Sequence, residues 1–268
     1  LKRFIDKTPT YKTGSMSIFS KNNYYSWNGL FDLIFFPKIN FISKIRFIIS
    51  TLILSKGFLS KKMLDRTSLL NGMQTLFGAQ SFKKIWEPIL YGKFGNKVDV
   101  IPLRWMSGRL KQRIESRKFG EEKLGYLEGS IFRLTESIAK FIEKSNNSKI
   151  YKCSEIKKII FNSKISKYKI QITTKKENIS TLENIDKLIF TTDQNVTKNI
   201  LRMNSLRGIS SLKSQKYLTA YCVLIELNES LSKYYWTNIA DKSIYFCGYI
   251  EQTNLTGCNE YDGLHLGY

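Results

Sequence analysis

Three arginines, Arg109, Arg113 and Arg117, recur every fourth residue in "RWMSGRLKQRIESRK". On a helix this spacing puts them on one face. A guanidinium row can clamp a phosphate or a carboxylate through paired N–H donors. A solvated helix face, neutralised in part by Glu115, would carry the same residues. Other chemistry-bearing types are sparse. His265 is the single histidine, and no G-x-S-x-G precedes it, so a histidine-dependent triad has one candidate base and no nucleophile elbow. Cys153, Cys222, Cys247 and Cys258 form no C-x-x-C pair, so no metal site is expected. They read as reduced, buried cysteines of a cytosolic protein; one or two disulfides are the alternative. Neither G-x-G-x-x-G nor G-x-x-x-x-G-K-[ST] occurs, so no nucleotide-phosphate loop is visible. No acidic pair is spaced for general acid–base work, and no catalytic residue is assigned.

The elements that must position these residues come from a chain of 268 residues, enough for one large domain or two smaller ones. With 42% apolar and 13% aromatic residues it is not disordered. The net charge of +21 suggests a nucleic acid, membrane-surface or anionic-ligand partner. Because the lysines are spread along the chain, a compositional bias accounts for the same charge. No zinc-finger, homeodomain or RRM pattern appears, and no nucleic acid is expected as a partner.

"SMSIFSKNNYYSW" (Ser15–Trp27) predicts two short strands around a Lys21-Asn22-Asn23 turn. "FISKIRFIISTLIL" (Phe41–Leu54) carries Phe41, Ile42, Ile45, Ile48, Ile49 and Leu52 at helical spacing. It is too short to span a bilayer. It reads as a core-facing helix, with a basic helix lying on a membrane as the alternative. Ser68 is placed to cap a helix that Gly78 would end. Pro88 interrupts the apolar face of Phe82–Leu90, where a proline inside a helix costs about 3 kcal/mol. Residues Val98–Tyr126 predict one basic helix, followed by a glycine-bearing turn and a helix with Leu134, Ile138, Ala139 and Ile142 inward. Strands are expected around Ile170 and Ile172, over Lys187–Asp193 and Tyr217–Leu227, and in "KYYWTNIA" and "SIYFCGYIEQTN"; a helix is expected over Asn195–Met203. Helices thus dominate up to about Leu124 and strands afterwards.

The string "IWEPILYGKFGNKVDVIPLRWMSGRLKQRIESRKFGEEKLGYLEGSIFRL" resembles the centre of the flavin-dependent amine oxidase superfamily, near its protoporphyrinogen-oxidase-like and phytoene-desaturase-like members. The matching parts are Ile85–Leu90, Gly92-Lys93-Phe94-Gly95, the arginine row, and Gly125-Tyr126-Leu127-Glu128-Gly129, with Ser130 where a second glycine is usual. "EIKKIIF", "NIDKLIFTTD" and "FCGYIEQTNL" continue the series in order; Asp193 stands where proline is usual.

This resemblance implies an α/β (mixed α+β) fold. A discontinuous, partial Rossmann-like FAD-binding domain would combine with a helical and antiparallel-sheet substrate domain. Residues 1–123 and 196–268 would form the substrate domain and 124–195 the central FAD-domain segment. Both chain ends look cut, and the dinucleotide loop and a second flavin motif would lie outside the sequence. The implied cofactor is FAD, contacted by Ile156, Thr191 and Thr192. The implied activity is hydride transfer from a small organic substrate to flavin, which needs no catalytic triad because the cofactor carries the chemistry. Arg109 and Arg113 are candidates for holding an anionic substrate or supporting the pocket, and Tyr221 and Trp236 for its wall. The alternative is a non-redox flavoenzyme resembling UDP-galactopyranose mutase. Such enzymes carry an arginine before an "iiE" run, where this chain has Gly248 before Tyr249-Ile250-Glu251. A basic nucleic-acid or membrane-surface binding protein is the third class. A cytoplasmic location with peripheral membrane contact completes the expectations.

Overall fold

A computed structural model of the chain describes Phe4, residues 8–118, 121–174 and 178–206, Leu212, and residues 215–241 and 243–268. In chain order the elements are β1 (Thr10–Thr13), β2 (Met16–Ser20), β3 (Asn23–Ser26), α1 (Leu30–Phe35), α2 (Phe41–Lys56), α3 (Lys61–Arg66) and α4 (Leu69–Ser81). A π-turn over Phe82–Trp86 leads into α5 (Glu87–Phe94), and a 3-10 turn over Gly95–Val100 into α6 (Leu103–Glu115). Then follow β4 (Arg117–Lys118), β5 (Glu121–Tyr126), α7 (Phe132–Glu143), β6 (Ser154–Asn162), β7 (Lys167–Thr174), β8 (Ile179–Ile185) and α8 (Gln194–Met203). The chain closes with β9 (Ile225–Leu227), β10 (Trp236–Ile239), β11 (Gly248–Ile250), α9 (Thr253–Thr256) and β12 (His265–Gly267). The fold class is mixed α/β.

The chain divides into two units. Among the described residues, one comprises Phe4 and Leu134–Thr219; the other is built from residues 8–133 and Ala220–Tyr268.

In the Leu134–Thr219 unit, β6-β7-β8 form an antiparallel meander. Ile159, Ile170 and Ile172 are its buried residues, backed by Leu188, Phe190 and Ile200. Asp193 starts α8, its carboxylate accepting from the backbone N–H groups of Asn195 and Val196. At the other end of α8, Asn204 accepts from the Ile159 N–H at 2.7 Å.

The larger unit has a four-stranded sheet in the order β11-β10-β2-β3. Lys21 and Asn22 take φ of 52° and 59°, which closes the predicted β2–β3 turn. β2 pairs in parallel with β10, some 220 residues away along the chain, and β10 is antiparallel to β11. Helices α2, α4, α5 and α6 complete this unit around an aromatic centre. Phe47 stacks on Trp86 at 5.6 Å and meets Phe77 and Trp27 edge-on at 4.8 and 5.7 Å. Each such pair adds roughly 0.5–1.5 kcal/mol beyond its buried area.

Several expectations are corrected. The basic helix stops at Glu115, because the chain beyond it pairs as β4–β5 and β5 pairs with β1. Gly78 (φ 77°) kinks α4 without ending it. Lys187–Asp193 forms no strand, and only Ile225–Leu227 of the expected Tyr217–Leu227 strand is paired. A strand needs a ladder partner, and among the described residues neither segment has one beyond the three residues of β12. Cys153, Cys222 and Cys247 are exposed and Cys258 half-buried; all four are free thiols. Among the described residues no helix is long and apolar enough to cross a membrane.

Candidate functional site

The arginine-bearing helix is fixed at its start by backbone and side chains. Leu103 N–H donates to the Thr67 carbonyl, and Leu69 N–H to the Ile101 carbonyl, at 2.9 and 2.7 Å. Arg104 pairs with Asp65 of α3 at 2.6 Å. Ser107 donates to the Leu54 carbonyl of α2 at 2.7 Å. Leu103, Met106 and Leu110 bury one face of α6, which leaves Arg109 and Arg113 at the edge of that face. Glu115 pairs with Lys111, and Arg109 donates to the Gln112 amide oxygen at 3.1 Å.

The proline and the Gly-Lys-Phe-Gly stretch set the neighbouring helix. Pro88 lies in the first turn of α5, just after the π-turn, where a missing N–H costs nothing. Gly92 faces Cys247: a Cβ built on Gly92 would lie 2.7 Å from the Cys247 Cβ. Only a glycine lets α5 approach the start of β11 this closely. Gly95 ends α5 at φ 53° and ψ −141°, a backbone region open essentially to glycine alone. Between them, Lys93 holds its ammonium 5.5 Å from the Trp105 ring.

These elements enclose a cavity of about 420 Å³. All four tryptophans of the chain, Trp27, Trp86, Trp105 and Trp236, line it. Its cations are Lys93, Arg109 and Arg113, and its lining contains no Asp, Glu or His. Trp236 is oriented through its Nε1–H, which donates to Asn238 Oδ1 at 3.1 Å; the Asn238 amide donates in turn to the Ser17 carbonyl of β2 at 3.3 Å. Trp86 is buried and its indole N–H has no acceptor among the described residues. A cavity of this kind holds an apolar or conjugated body by its walls and an anionic group by its cations. A second cavity of about 400 Å³ shares Cys247 with the first and has Glu87 and Asp241 in its lining.

Of the four residues proposed for a substrate pocket, Arg109, Arg113 and Trp236 line the large cavity together. Tyr221 does not; it is 95% exposed, in the unpaired stretch before β9. Arg117 falls outside α6, in β4. The proposed cofactor contacts lie in the other unit. Ile156 sits beside a bulge in β6. Thr191 and Thr192 are exposed residues leading into α8, and the Thr192 hydroxyl is hydrogen-bonded to that of Thr197 at 2.9 Å. The sequence assigned no role to Trp27, Trp86, Trp105 or Lys93 in a pocket. Lys93 and Trp86 had a signal, their places inside the Gly-Lys-Phe-Gly and Ile85–Leu90 stretches; Trp27 and Trp105 had none.

Glu251 lies next to β11, outside the cavity lining. It is fully buried, accepts from the Ser232 N–H at 3.3 Å and lies 3.5 Å from His265 Nδ1. Asn254 donates to the Ser232 and Tyr234 carbonyls at 2.6 and 3.0 Å. Together they fix the loop that feeds Trp236 into β10. Burial and the charge of Glu251 push the Tyr249 hydroxyl up to about 12.

The fold is mixed α/β, and it is similar to that of a solved structure. The whole described chain superposes on UDP-galactopyranose mutase in its reduced form, with a TM-score of 0.55 at 12% sequence identity. The match covers 97% of this chain and 57% of the mutase chain, so this chain spans little more than half the length of that structure. No protein-family model and no curated protein matches the sequence.

Proposed function

We propose that the chain is the substrate-binding part of a FAD-dependent oxidoreductase, acting on an anionic molecule with an apolar or conjugated body. The observation that carries this reading is the cavity itself, with four tryptophans, three cations and no carboxylate or imidazole. Its side chains can bind and orient a substrate and exclude water, but offer no carboxylate or imidazole for general acid–base work. Bound FAD would supply the hydride acceptor. Arg109 and Arg113 would hold the anionic end, Lys93 would add charge over Trp105, and the Trp86 N–H would be free for a substrate acceptor.

The described residues fit FAD in part. Ile156 at the β6 bulge offers a strand backbone and an apolar side chain suited to the adenine end. A diphosphate would need free N–H groups at a helix start, and at α8 the Asp193 carboxylate already occupies them. The diphosphate contacts are therefore not supplied there. A second reading, non-redox transfer on a nucleotide sugar, is favoured by the fold likeness to UDP-galactopyranose mutase. Against it, Gly248 lines the cavity at the place where that resemblance calls for an arginine.

The test is anaerobic mixing of the flavin-loaded protein, expressed from its complete reading frame, with conjugated carboxylic acids and with a UDP-sugar. Bleaching of the flavin by an organic acid is expected. A protein that takes up no flavin would overturn both readings. Tight UDP-sugar binding without any bleaching by organic acids would favour the mutase-like one.

A further inference from the structure

We propose that the outer faces of α1 and α2 dock the protein on an anionic phospholipid bilayer. Of the residues that sequence periodicity assigns to the core face of α2, Ile48 packs against the core and the others point outward. Phe41, Ile42, Ile45 and Ile49 are exposed, and the helix buries Phe47, Ser50 and Leu54 on its other side. On α1, Phe31 and Phe35 are one turn apart and equally uncovered. Phe31, Phe35, Phe41 and Ile42 are each 73–79% exposed. The Lys44 ammonium donates to the Ile34 carbonyl and so holds the end of α1 beside the first turns of α2. The two exposed rows therefore adjoin. Single exposed apolar residues are ordinary, but a contiguous row of large ones marks an interaction surface.

Charge selects the partner. Between Asp32 of α1, which accepts from Ser26 and Asn28, and Asp65 of α3, which pairs with Arg104, the chain has six basic residues, Lys38, Lys44, Arg46, Lys56, Lys61 and Lys62, and no acidic one. Arg46 is tied to the Thr75 and Leu76 carbonyls, whereas Lys56, Lys61 and Lys62 are exposed. An apolar helix face with a mainly basic surround, its two flanking carboxylates already engaged within the protein, matches the boundary between anionic headgroups and acyl chains. The same helices wall the cavity: Leu30 of α1 and Leu52 of α2 line it and are half-exposed. A lipophilic substrate could pass from the bilayer along them; this route, unlike the docking, rests on the cavity being the substrate site.

Vesicle co-sedimentation of the full protein tests the docking. The parent protein should sediment with vesicles of equal parts phosphatidylglycerol and phosphatidylcholine, less with phosphatidylcholine alone, and less at high salt. The triple variant Phe31→Ser/Phe35→Ser/Phe41→Ser should bind at least tenfold more weakly with an unchanged melting temperature, since its side chains support no core. Lys56→Gln, Lys61→Gln and Lys62→Gln should each cost about fivefold. No sedimentation of the parent, or undiminished binding by the triple variant, would overturn the proposal. So would a parent dimer that the triple variant dissolves without any vesicle binding, which would assign the face to a second copy. Flavin content, measured on the same samples, reports separately on the oxidoreductase reading.

Discussion

Gly92→Ala isolates one contact that shapes the site. The new Cβ would sit 2.7 Å from the Cys247 Cβ, whereas carbon atoms rest about 3.5–4.0 Å apart. The helix must retreat from β11 by about 1 Å, and neither atom is the free end of a side chain that could swing away. Overpacking of this kind costs about 1–3 kcal/mol. Alanine returns up to about 1 kcal/mol of helix propensity, less in the last turns of α5. The net loss is about 1–2 kcal/mol, or roughly 2–8 °C in melting temperature for a unit of this size. Cys247→Gly removes the opposing atom, so the double variant should recover that loss, giving a coupling of about 1–2 kcal/mol in a double-mutant cycle. Gly95→Ala supplies the contrast. Gly95 has open space around its Cα but a φ of 53°, so alanine costs about 1–3 kcal/mol in backbone strain that Cys247→Gly cannot relieve. Urea unfolding of the six proteins is the assay. If Gly92→Ala is neutral, or if Cys247→Gly rescues both glycine variants alike, close approach is not what the first glycine provides.

Three further outcomes follow from the same fold. Phe77→Ala, at a fully buried ring between Phe47 and Trp86, should lose about 3–5 kcal/mol in urea unfolding, whereas exposed Tyr221→Ala should stay within about 0.5 kcal/mol of the parent. Burial pushes the Tyr235 and Tyr249 hydroxyls up to about 12, with help from Tyr268 and Glu251 respectively; the folded state then keeps protons that the unfolded chain releases near pH 10, so stability should be intact below pH 10 and fall as the pH rises towards 12. Tyr249→Phe should make that fall shallower, as read from melting curves across the range; an equally steep fall would refute the assignment. Because all four tryptophans line the cavity, a bound aromatic carboxylate should quench intrinsic fluorescence, and Arg113→Gln should weaken its titration curve by about tenfold, the loss of one charge-assisted hydrogen bond; unchanged affinity would remove Arg113 from the binding set.

What the sequence made legible was local. The Lys21-Asn22 turn, the Ser68 cap, the opening of α7 after Gly129-Ser130 and the helix expected over Asn195–Met203 each depend on residues close together in the chain. Arg109, Arg113 and Trp236 could be nominated from a motif series. Their convergence could not be derived, because it depends on the parallel pairing of β2 with β10. The end of α6 was missed for the same reason. The sequence predicts helix through Tyr126, and the β4–β5 pairing, itself joined to β1, overrides it. Lys187–Asp193 failed in the opposite sense: β-branched and apolar residues suit a strand, yet propensity cannot supply a ladder partner.

Helix α2 shows where periodicity stops being informative. Phe41, Ile42, Ile45, Phe47, Ile48, Ile49, Leu52, Ile53 and Leu54 leave it apolar around most of its circumference, so several rows at helical spacing compete to be the inner one. The deciding residues are the polar ones. Ser50 is buried and donates to the Leu76 carbonyl at 2.7 Å, Arg46 donates to the Thr75 and Leu76 carbonyls, and Ser107 of α6 donates to the Leu54 carbonyl. Each satisfies a backbone acceptor near the α4 kink or the end of α2, where a lost partner would cost about 1–3 kcal/mol. Rotating α2 to bury Phe41, Ile42 and Ile45 would break these bonds while only exchanging one apolar face for another. Hydrogen bonding therefore sets the helix's rotation, and the outward apolar row is what remains.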